Sequence, residues 1–326
     1  MIRKLLFSLL TPKYISPSVR LCAHQREVGV QLGSYSSVSF YKLCNPTRVS
    51  YAPDTLCQTI KYNLQKFDVR GTFYVANEGI NAQLCIRESE FASFQSTLLA
   101  LNPFFNDLDL SNFNTKRYET VESLPFRKLI VRTKKQVLTD GLIEDDNNLF
   151  KFDWSDPGIE INPSQWHEEV ILANRHPADT SPTIPNSNSF EDFMPKTVIL
   201  DCRNDFESNL GTFQGSIPLN TTSFSGSWEQ LDKVVGELAP NTRILTFCTG
   251  GIRCVKVNAY LRQKHGLSNL ARLKHGIIGY QNWWNQHHHA QQQQHLGTVI
   301  QAPIEASGST FIGKNYLFNN DRILHM

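Results

Sequence analysis

The stretch Cys248-Thr249-Gly250-Gly251-Ile252-Arg253, followed by Cys254, decides the fold of the C-terminal half of the chain. It comes directly after the run Arg243–Phe247, whose short apolar sequence is typical of a buried parallel strand. The two glycines predict a tight turn, and the residues after them predict a helix that begins near Cys254 and stops at Gly266. A strand, a glycine turn and a helix in this order indicate an α/β domain, whose active site collects at the carboxyl ends of the strands.

Cys248 stands at such a strand end and is predicted to be a catalytic nucleophile, with Arg253 as the second catalytic residue. The loop between them is formed by Thr249, Gly250, Gly251 and Ile252. Its backbone N–H groups are expected to point inward as an anion-binding nest at a helix N-terminus. Together with the Arg253 guanidinium, they predict a pKa of the Cys248 thiol below its free value. Cys254 is expected to be a packed residue of the first helical turn, with a resolving thiol as the alternative.

The length of the loop separates two kinds of chemistry. Protein phosphatases with a cysteine nucleophile place five residues between that cysteine and the arginine, which makes room for a phosphate group. Only four residues separate Cys248 from Arg253. The smaller cradle fits a sulfur atom, as in a cysteine persulfide, and phosphatase activity is disfavoured.

Further apolar runs indicate the rest of this domain. Thr197–Leu200 and Leu270–Leu273 are predicted to be parallel strands, and the first ends at Asp201-Cys202-Arg203. Asp201 and Arg203 are expected to brace the Cys248 loop through hydrogen bonds. The domain is predicted to span residues 196–286.

The N-terminal half shows a different order of elements. Its predicted elements are a strand at 38–43, a helix from Pro53, strands at 71–75 and 82–86, a helix from Ser89 and a strand at 129–133. This βαββαβ order is that of a ferredoxin-like sheet with two helices on one face. The chain is therefore predicted to have two domains, an α+β ferredoxin-like unit at 37–146 and a parallel-sheet α/β domain.

Two segments lack periodicity. Residues 147–195 are predicted to be a connector and linker, because the stretch at 174–196 is rich in Pro, Ser, Thr and Asn. Residues 287–326 are predicted to be a low-complexity tract, with three adjacent histidines and four glutamines, followed by a tail. No metal site is predicted in that tract.

A basic cluster lies near the end of the ferredoxin-like unit. Its members are Lys116, Arg117, Arg127, Lys128, Arg132, Lys134 and Lys135. Only Glu119 and Glu122 oppose these seven charges, so the cluster is a candidate RNA-binding face. The alternative is an edge strand that lysines protect from pairing with other chains.

Composition limits the remaining functions. The 326 residues carry 32 basic and 30 acidic side chains and reach 40% hydrophobic content. No apolar run approaches the length of about 18 residues that a membrane span needs, which predicts a soluble protein without a membrane partner. The seven cysteines are scattered and form no Cys-x-x-Cys pair, so free thiols are expected rather than disulfides or a zinc site.

Residues 1–36 are predicted to be a transit peptide. Five basic residues and no acidic residue occur before Glu27, with serines and short apolar patches between them. Such a leader predicts mitochondrial targeting. The alternatives are a disordered tail and a cytoplasmic protein.

Several motifs together resemble a known family, the bacterial tRNA uridine 5-hydroxylases that contain a rhodanese domain. The motifs are Cys248–Cys254, Asp201–Asn204 with Glu207, Gly211–Ser216, Ala76–Asn81, Leu124–Leu129 and Ile161–His167. They keep the family's order across both predicted domains, over about residues 38 to 285. Thr212 departs from the family's usual His, and His275 replaces the first Gly of a Gly-Gly-Ile turn.

The resemblance implies oxygen-dependent hydroxylation of C5 of the wobble uridine in tRNA. Cys248 would be essential, Arg253 and the loop amides would hold the loop and its anion, and the ferredoxin-like domain would grip tRNA. No motif for a bound cofactor is present, so molecular oxygen would be the co-substrate.

Two other functions remain open at this point. The first is a sulfurtransferase that cycles Cys248 through a persulfide and takes its sulfur from thiosulfate or a sulfur-donor protein. The second is a non-catalytic RNA- or protein-binding module, which the intact Cys248 and Arg253 disfavour. The hydroxylase and the sulfurtransferase need the same nucleophilic loop, so the sequence does not separate them.

Overall fold

The computed structural model describes residues 34–46, 49–142, 152–175, 196–239, 241–294 and 308–316. The predicted transit peptide and the insertion at 174–196 lie almost wholly outside the described residues. The elements of the N-terminal domain are β1 (Tyr35–Leu43), α1 (Pro53–Leu64), β2 (Val69–Ala76), β3 (Gly79–Arg87), α2 (Phe91–Ala100), β4 (Phe113–Tyr118) and β5 (Leu129–Thr133).

These strands form one sheet in the order β4-β1-β3-β2-β5. The elements from β1 to β4 have the βαββαβ order of a ferredoxin-like unit, which confirms the predicted fold. The strand predicted at 129–133 exists as β5, but it does not close that unit: it lies parallel to β2 at the far edge. The closing strand is β4, whose Asn-Thr-Lys-Arg centre carries no apolar alternation by which to recognise it.

The two faces of this sheet differ. Leu56, Ile60 and Leu64 recur at helical spacing along α1 and pack into one core with Phe94 and Leu98 of α2. Both helices therefore cover the same face of the sheet. Alternate residues of each strand point to the other face, which no helix of this domain covers and which carries the site described below.

The elements of the C-terminal domain are β6 (Ile159–Ile161), α3 (Pro163–Asn174), β7 (Thr197–Asp201), α4 (Asp205–Ser208), β8 (Gly211–Phe213), β9 (Ser216–Pro218), α5 (Ser227–Gly236), β10 (Arg243–Phe247), α6 (Ile252–His265), β11 (Leu270–Leu273), α7 (Gly276–Gln294) and β12 (Phe311–Gly313). Five of these strands form a parallel sheet in the order β6-β11-β10-β7-β9. The predicted parallel α/β fold is therefore confirmed, and β11, β10 and β7 are its three predicted strands.

Three elements join this domain from segments that the sequence assigned elsewhere. Strand β6 and helix α3 come from the predicted connector, and β6 pairs with β11. Strand β12, from the predicted tail, pairs with β8. Helix α7 continues to Gln294, so the part of the histidine–glutamine tract up to that residue is helical, although its sequence lacks periodicity.

Within the described ranges, no helix combines the length and the apolar character that crossing a membrane requires.

Candidate active site

The turn between β10 and α6 holds Cys248 in the predicted place. Gly251 adopts φ +96°, a left-handed conformation that glycine tolerates best, and α6 begins at the next residue. This turn aims the Gly251 N–H at the Cys248 Sγ, which accepts a hydrogen bond at 3.1 Å. Cys248 is only 1% exposed.

The first turn of α7 secures the loop from a second side. The N–H of Ile277 donates to the carbonyl of Cys248 at 3.0 Å, and the N–H of Ile278 donates to the carbonyl of Thr249 at 3.1 Å. A Cβ on Gly276 would lie 2.2 Å from the Cys248 carbonyl oxygen, so this approach needs glycine. Orphan N–H groups of a helix N-terminus thus fix the loop through its carbonyls.

Arg253 does not face the cysteine as a free charge. Its guanidinium donates to both carboxylate oxygens of Glu207, at 2.6 and 2.7 Å, and the pair is almost fully buried. Thr249 Oγ1 donates to the same carboxylate at 2.9 Å. Glu207 therefore links both ends of the loop, and the charge of Arg253 is largely neutralised within this cluster.

The prediction of a lowered Cys248 pKa is wrong for this arrangement. Burial raises the pKa of the Cys248 thiol well above its ordinary value, and the neighbouring Cys254 thiol raises it further. Arg253 lowers the pKa of Cys248 but does not outweigh burial, since its charge is shared with Glu207.

Cys254 is completely buried in the first turn of α6. Burial raises the pKa of its thiol well above the ordinary value, and the neighbouring thiol of Cys202 raises it further. The described part of the chain contains no disulfide at these positions. The expected packed position is therefore observed, and a resolving role stays a prediction.

Asp201 and Arg203 form a separate buried cluster. The Arg203 guanidinium donates to both Asp201 oxygens, at 2.8 and 2.6 Å, and to the carbonyl of Gly211 at 2.5 Å. Thr212, the departure from the family pattern, donates its hydroxyl to Asp201 at 2.8 Å. The hydrogen bonds of these side chains brace β8, whereas the sequence predicted that they brace the Cys248 loop.

The uncovered face of the ferredoxin-like sheet lies against the Cys248 loop. A Cβ on Gly251 would lie 2.6 Å from the hydroxyl oxygen of Tyr41, and a Cβ on Gly250 would lie 3.7 Å from Ser39 Oγ. Gly251 therefore serves the close approach of the two domains as well as the turn itself, whereas the space beside Gly250 would accept a Cβ.

A cavity of about 470 Å³ lies between the two domains. Its aromatic lining residues are Tyr41, Tyr74, Tyr118 and Phe126. The amide side chains of Asn81 and Gln83 line it from the sheet, and Cys248, Thr249 and Arg253 line it from the loop. The size and the mixture of aromatic and polar groups fit a small organic ring.

A buried lysine fastens the domains together beside this cavity. Lys256 of α6 donates to Glu78 at 2.7 Å, to Asp140 at 2.5 Å and to the carbonyl of Leu138 at 3.1 Å. Glu78 lies in the β2–β3 turn, and its contact with Lys256 extends from that hairpin to the other domain. Burial raises the pKa of the Glu78 carboxyl above its ordinary value, against the opposing effect of Lys256.

His275, the other position that departs from the family pattern, makes a second contact between the domains. His275 adopts φ +58° and places its Nε2 3.0 Å from an Asp109 carboxylate oxygen, and Lys274 lies 3.4 Å from the same carboxylate. Burial lowers the pKa of His275 despite that carboxylate.

The structure divides the seven predicted RNA-binding residues between the two edges of the sheet. Lys116 and Arg117 lie on β4, while Arg127, Lys128, Arg132, Lys134 and Lys135 lie on or next to β5. On β4, Arg117 pairs with Glu88 at 2.5 Å, and Asn282 of α7 donates to the Phe113 carbonyl.

The five residues at the β5 edge are exposed. Lys134 Nζ lies 5.1 Å from the ring centroid of Tyr74, which lines the cavity. These five residues, at 127, 128, 132, 134 and 135, are called the β5 basic edge below.

Sequence reasoning missed several residues of the site. Glu207 was noted only within a motif, and Gln83, Tyr41 and Lys256 were not singled out at all. Two signals were available in the sequence: the register of β1 against β3 for Tyr41 and Gln83, and a lysine between two apolar residues for Lys256. Neither signal reveals which part of the other domain these residues face.

Comparison with known proteins identifies both domains. Residues 35–137 match the UPF0176 acylphosphatase like domain, and residues 188–285 match the rhodanese-like domain. Together the two matches account for most of the described residues.

Curated relatives align across both domains. A protein of Buchnera aphidicola subsp. Schizaphis graminum, named tRNA uridine(34) hydroxylase, is 31% identical over 245 residues, covering 74% of this chain and 66% of its own length. A protein of the same name from Prochlorococcus marinus is 33% identical over 216 residues, covering 65% of this chain and 56% of its own length. The chain thus spans less than two thirds of these relatives.

Solved structures show a more distant similarity. The rhodanese-like domain of an Anabaena protein shares 16% identity, with a TM-score of 0.25 over 38% of this chain and 73% of its own. The As-Sb reductase of Leishmania major shares 17% identity, with a TM-score of 0.28 over 40% of this chain and 80% of its own.

Proposed function

The chain belongs to the family that joins a UPF0176 acylphosphatase-like domain to a rhodanese-like domain, and from this we propose that it hydroxylates C5 of the uridine at position 34 of tRNA. The observation that carries the proposal is the aromatic cavity between the two domains, with Cys248 in its wall. The name of the relatives, tRNA uridine(34) hydroxylase, supports the choice of substrate.

The cavity has the character of a nucleobase site. Sequence-specific RNA recognition commonly takes unstacked bases of single-stranded loops and stacks them on aromatic rings. Position 34 lies in such a loop, and an enzyme that modifies a base must draw that base out of its stack. Four aromatic side chains and two amides beside Cys248 meet these requirements.

Cys248 is the proposed catalytic residue. It lines the cavity, its Sγ is positioned by the Gly251 N–H, and Glu207 and Arg253 fix the loop around it. Molecular oxygen is the proposed source of the oxygen atom placed on C5. Within the described residues, no group of three or more His, Cys, Asp or Glu side chains is arranged to bind a metal ion.

The β5 basic edge is the proposed path of the RNA backbone. Its five cations are exposed and adjoin the cavity through Lys134 and Tyr74, whereas the β4 edge is covered by α7. Phosphate contacts of this kind position an RNA and make its affinity depend on salt concentration.

Mass spectrometry of tRNA tests the activity. Cells that lack the protein should lose 5-hydroxyuridine, the wild-type chain should restore it, and Cys248→Ala should not. Cys57→Ala, a substitution on helix α1 of the other domain, is the matched control and should restore it fully. Unchanged 5-hydroxyuridine in the deletion strain would refute the proposal.

Binding measurements test the RNA path. Replacing Lys134 and Lys135 with alanine should weaken tRNA binding and reduce the slope of log affinity against log salt by about one to two units. The same two-charge change at Lys61 and Lys66, exposed on and just beyond helix α1 on the other side of the sheet, is the control and should leave that slope unchanged. Equal slopes for both double variants would remove the β5 basic edge from the proposal.

The sulfurtransferase alternative has a separate test. Thiosulfate treatment of the purified protein should then add the mass of one sulfur atom at Cys248. A cavity of about 470 Å³ is far larger than a transferred sulfur atom requires, which favours the hydroxylase.

We also infer a mitochondrial location from the basic leader at 1–36. Fusion of these residues to a fluorescent protein should direct it to mitochondria, and diffuse cytoplasmic fluorescence would contradict the inference.

A further inference from the structure

Gln83 lies on the sheet directly beside the residues that touch the Cys248 loop. In the sheet register, Gln83 of β3 pairs with Ser39 of β1 and with Thr72 of β2. Directly paired residues place their side chains on the same face, about 5 Å apart. Ser39 is the residue that faces Gly250 of the loop, so Gln83 lies one strand further into the cavity.

The amide of Gln83 has no hydrogen-bonding partner among the side chains and backbone groups of the described residues. Asn81, two positions earlier on the same strand, donates its amide to the Val137 carbonyl at 3.2 Å. Gln83 is half-buried and lines the cavity with its donor and its acceptor unused. A polar group in such a place is stabilised when a ligand supplies the missing partners.

The chemistry of a primary amide matches one edge of uracil. The side-chain carbonyl oxygen accepts and the NH₂ group donates, side by side. Uracil presents a donor at N3–H next to an acceptor at O4. We propose that Gln83 binds this edge, with Oε1 accepting from N3–H and Nε2 donating to O4, and that it thereby fixes the position of C5. The inference rests on the proposed function and names its base-binding residue.

The surrounding side chains strengthen such a pair. Tyr41 of β1, Asn81 of β3 and Tyr74 of β2 form the neighbouring row across the sheet, so aromatic rings flank the amides. Rings in this position stack on a base and exclude water, which makes a hydrogen bond to the base edge electrostatically stronger. C5 is bonded to C4, the carbon that carries O4, so holding O4 fixes C5 within the cavity.

The test uses the full-length protein and synthetic anticodon stem-loops that carry uridine or 3-methyluridine at position 34. Methylation removes the N3–H donor and should lower kcat/KM of the wild type about 10- to 100-fold. Gln83→Ala should lose a similar factor on uridine but should be almost insensitive to methylation. Gln83→Glu, which replaces the donor to O4 with a carboxylate oxygen, should also lose activity on uridine.

Thr72→Ala is the matched control, because Thr72 pairs with Gln83 on the same face but does not line the cavity. It should retain wild-type kcat/KM and full sensitivity to methylation. The inference is overturned if Gln83→Ala remains within about twofold of wild type on uridine, or if methylation affects it as strongly as wild type.

A binding experiment separates this inference from the proposed activity. Equilibrium affinities of the two stem-loops are compared in a Cys248→Ala background with and without Gln83→Ala. If the wild type forms no 5-hydroxyuridine and yet Gln83 determines the preference for uridine over 3-methyluridine, the activity fails and the base contact stands. If the preference is absent or independent of Gln83, the base contact fails.

Discussion

Two buried charge clusters lie three residues apart on helix α6, and they are built differently. Arg253 meets one carboxylate, that of Glu207, which belongs to the same domain. Lys256 meets two carboxylates, Glu78 and Asp140, which come from the ferredoxin-like domain and the segment after it. The first cluster is balanced and holds the loop, whereas the second carries excess negative charge and joins the domains.

The difference appears in the pKa values of the two glutamates. Burial opposes ionisation of Glu207, but the hydrogen bonds and charge of Arg253 outweigh it and hold the pKa of this carboxyl below its ordinary value. Burial raises the pKa of Glu78, Asp140 adds to the rise, and one shared lysine does not compensate. A one-to-one pair thus favours the charged form, and a two-to-one cluster opposes it.

The largest expected effect is that of Glu207→Gln. The substitution leaves a guanidinium buried without a counter-charge, and arginine cannot lose its proton. We expect the free energy of unfolding of the C-terminal domain to fall by about 5 kcal/mol, at the upper end for a broken buried pair. Four of the five tryptophans lie in this domain and the fifth, Trp154, packs against its core, so urea unfolding followed by tryptophan fluorescence measures it.

The matched control for that experiment is Glu229→Gln. It breaks an exposed Glu229–Lys233 pair on α5 and should leave the unfolding midpoint unchanged. Equal effects of the two substitutions would show that Glu207 contributes no more than a surface charge.

A smaller loss is expected from Lys256→Met. The two carboxylates lose their cation, but Glu78 can take up a proton, so we expect a loss of about 3 kcal/mol at neutral pH. The domains should also separate in unfolding: tryptophan fluorescence and far-ultraviolet circular dichroism should give one common midpoint in the wild type and two midpoints in the variant. Adding Glu78→Gln should recover part of the lost free energy. An unchanged single transition would contradict a joining role for Lys256.

The smallest effects concern pH, and the two glutamates should show opposite signs. The stability that Glu207 contributes is fully present above pH 4.5 and is lost as pH falls through its lowered pKa. Glu78, whose pKa is raised, contributes most below pH 4.5, and its contribution is lost as pH rises through the folded-state value. Each amounts to about 1.4 kcal/mol per unit of pKa difference.

Difference curves of unfolding free energy against pH, wild type minus Glu207→Gln and wild type minus Glu78→Gln, measure these contributions. The first curve should rise with pH over the acidic range and the second should fall. Curves of the same sign would show that the two clusters do not differ in the way the contacts indicate.

Local sequence pattern predicted much of the fold. The strands at 243–247 and 270–273 have the predicted bounds, because an uninterrupted apolar run next to a glycine turn leaves few alternatives. The N-terminal unit followed from alternating strands and helical spacing. Strand β4 was not predicted, because its polar centre forms a strand only through pairing with β1. Strand β6 was missed because three residues are too few for a periodic pattern.

Of the site, the sequence predicted only the residues of the Cys248 loop. Cys248 and Arg253 are neighbours in sequence, so their proximity could be read directly. The partners Glu207, Gln83 and Tyr41 lie 41 to 207 residues before Cys248, and no local pattern sets which face of a sheet meets which loop. The predicted lowering of the thiol pKa was wrong for a related reason: burial of Cys248 by both domains raises that pKa, and the Arg253 guanidinium, which a distant carboxylate also binds, does not outweigh burial.

The cavity beside Cys248 is enclosed by two domains of one chain. A compound bound in it would contact both domains, so it should raise the common melting temperature of the wild type and both midpoints of Lys256→Met. Substitutions of the sheet residues that line the cavity should leave the free energy of unfolding unchanged and still abolish turnover. A hybrid that joins either domain to a foreign partner should keep the fold of that domain, but it would have no enclosed cavity beside Cys248.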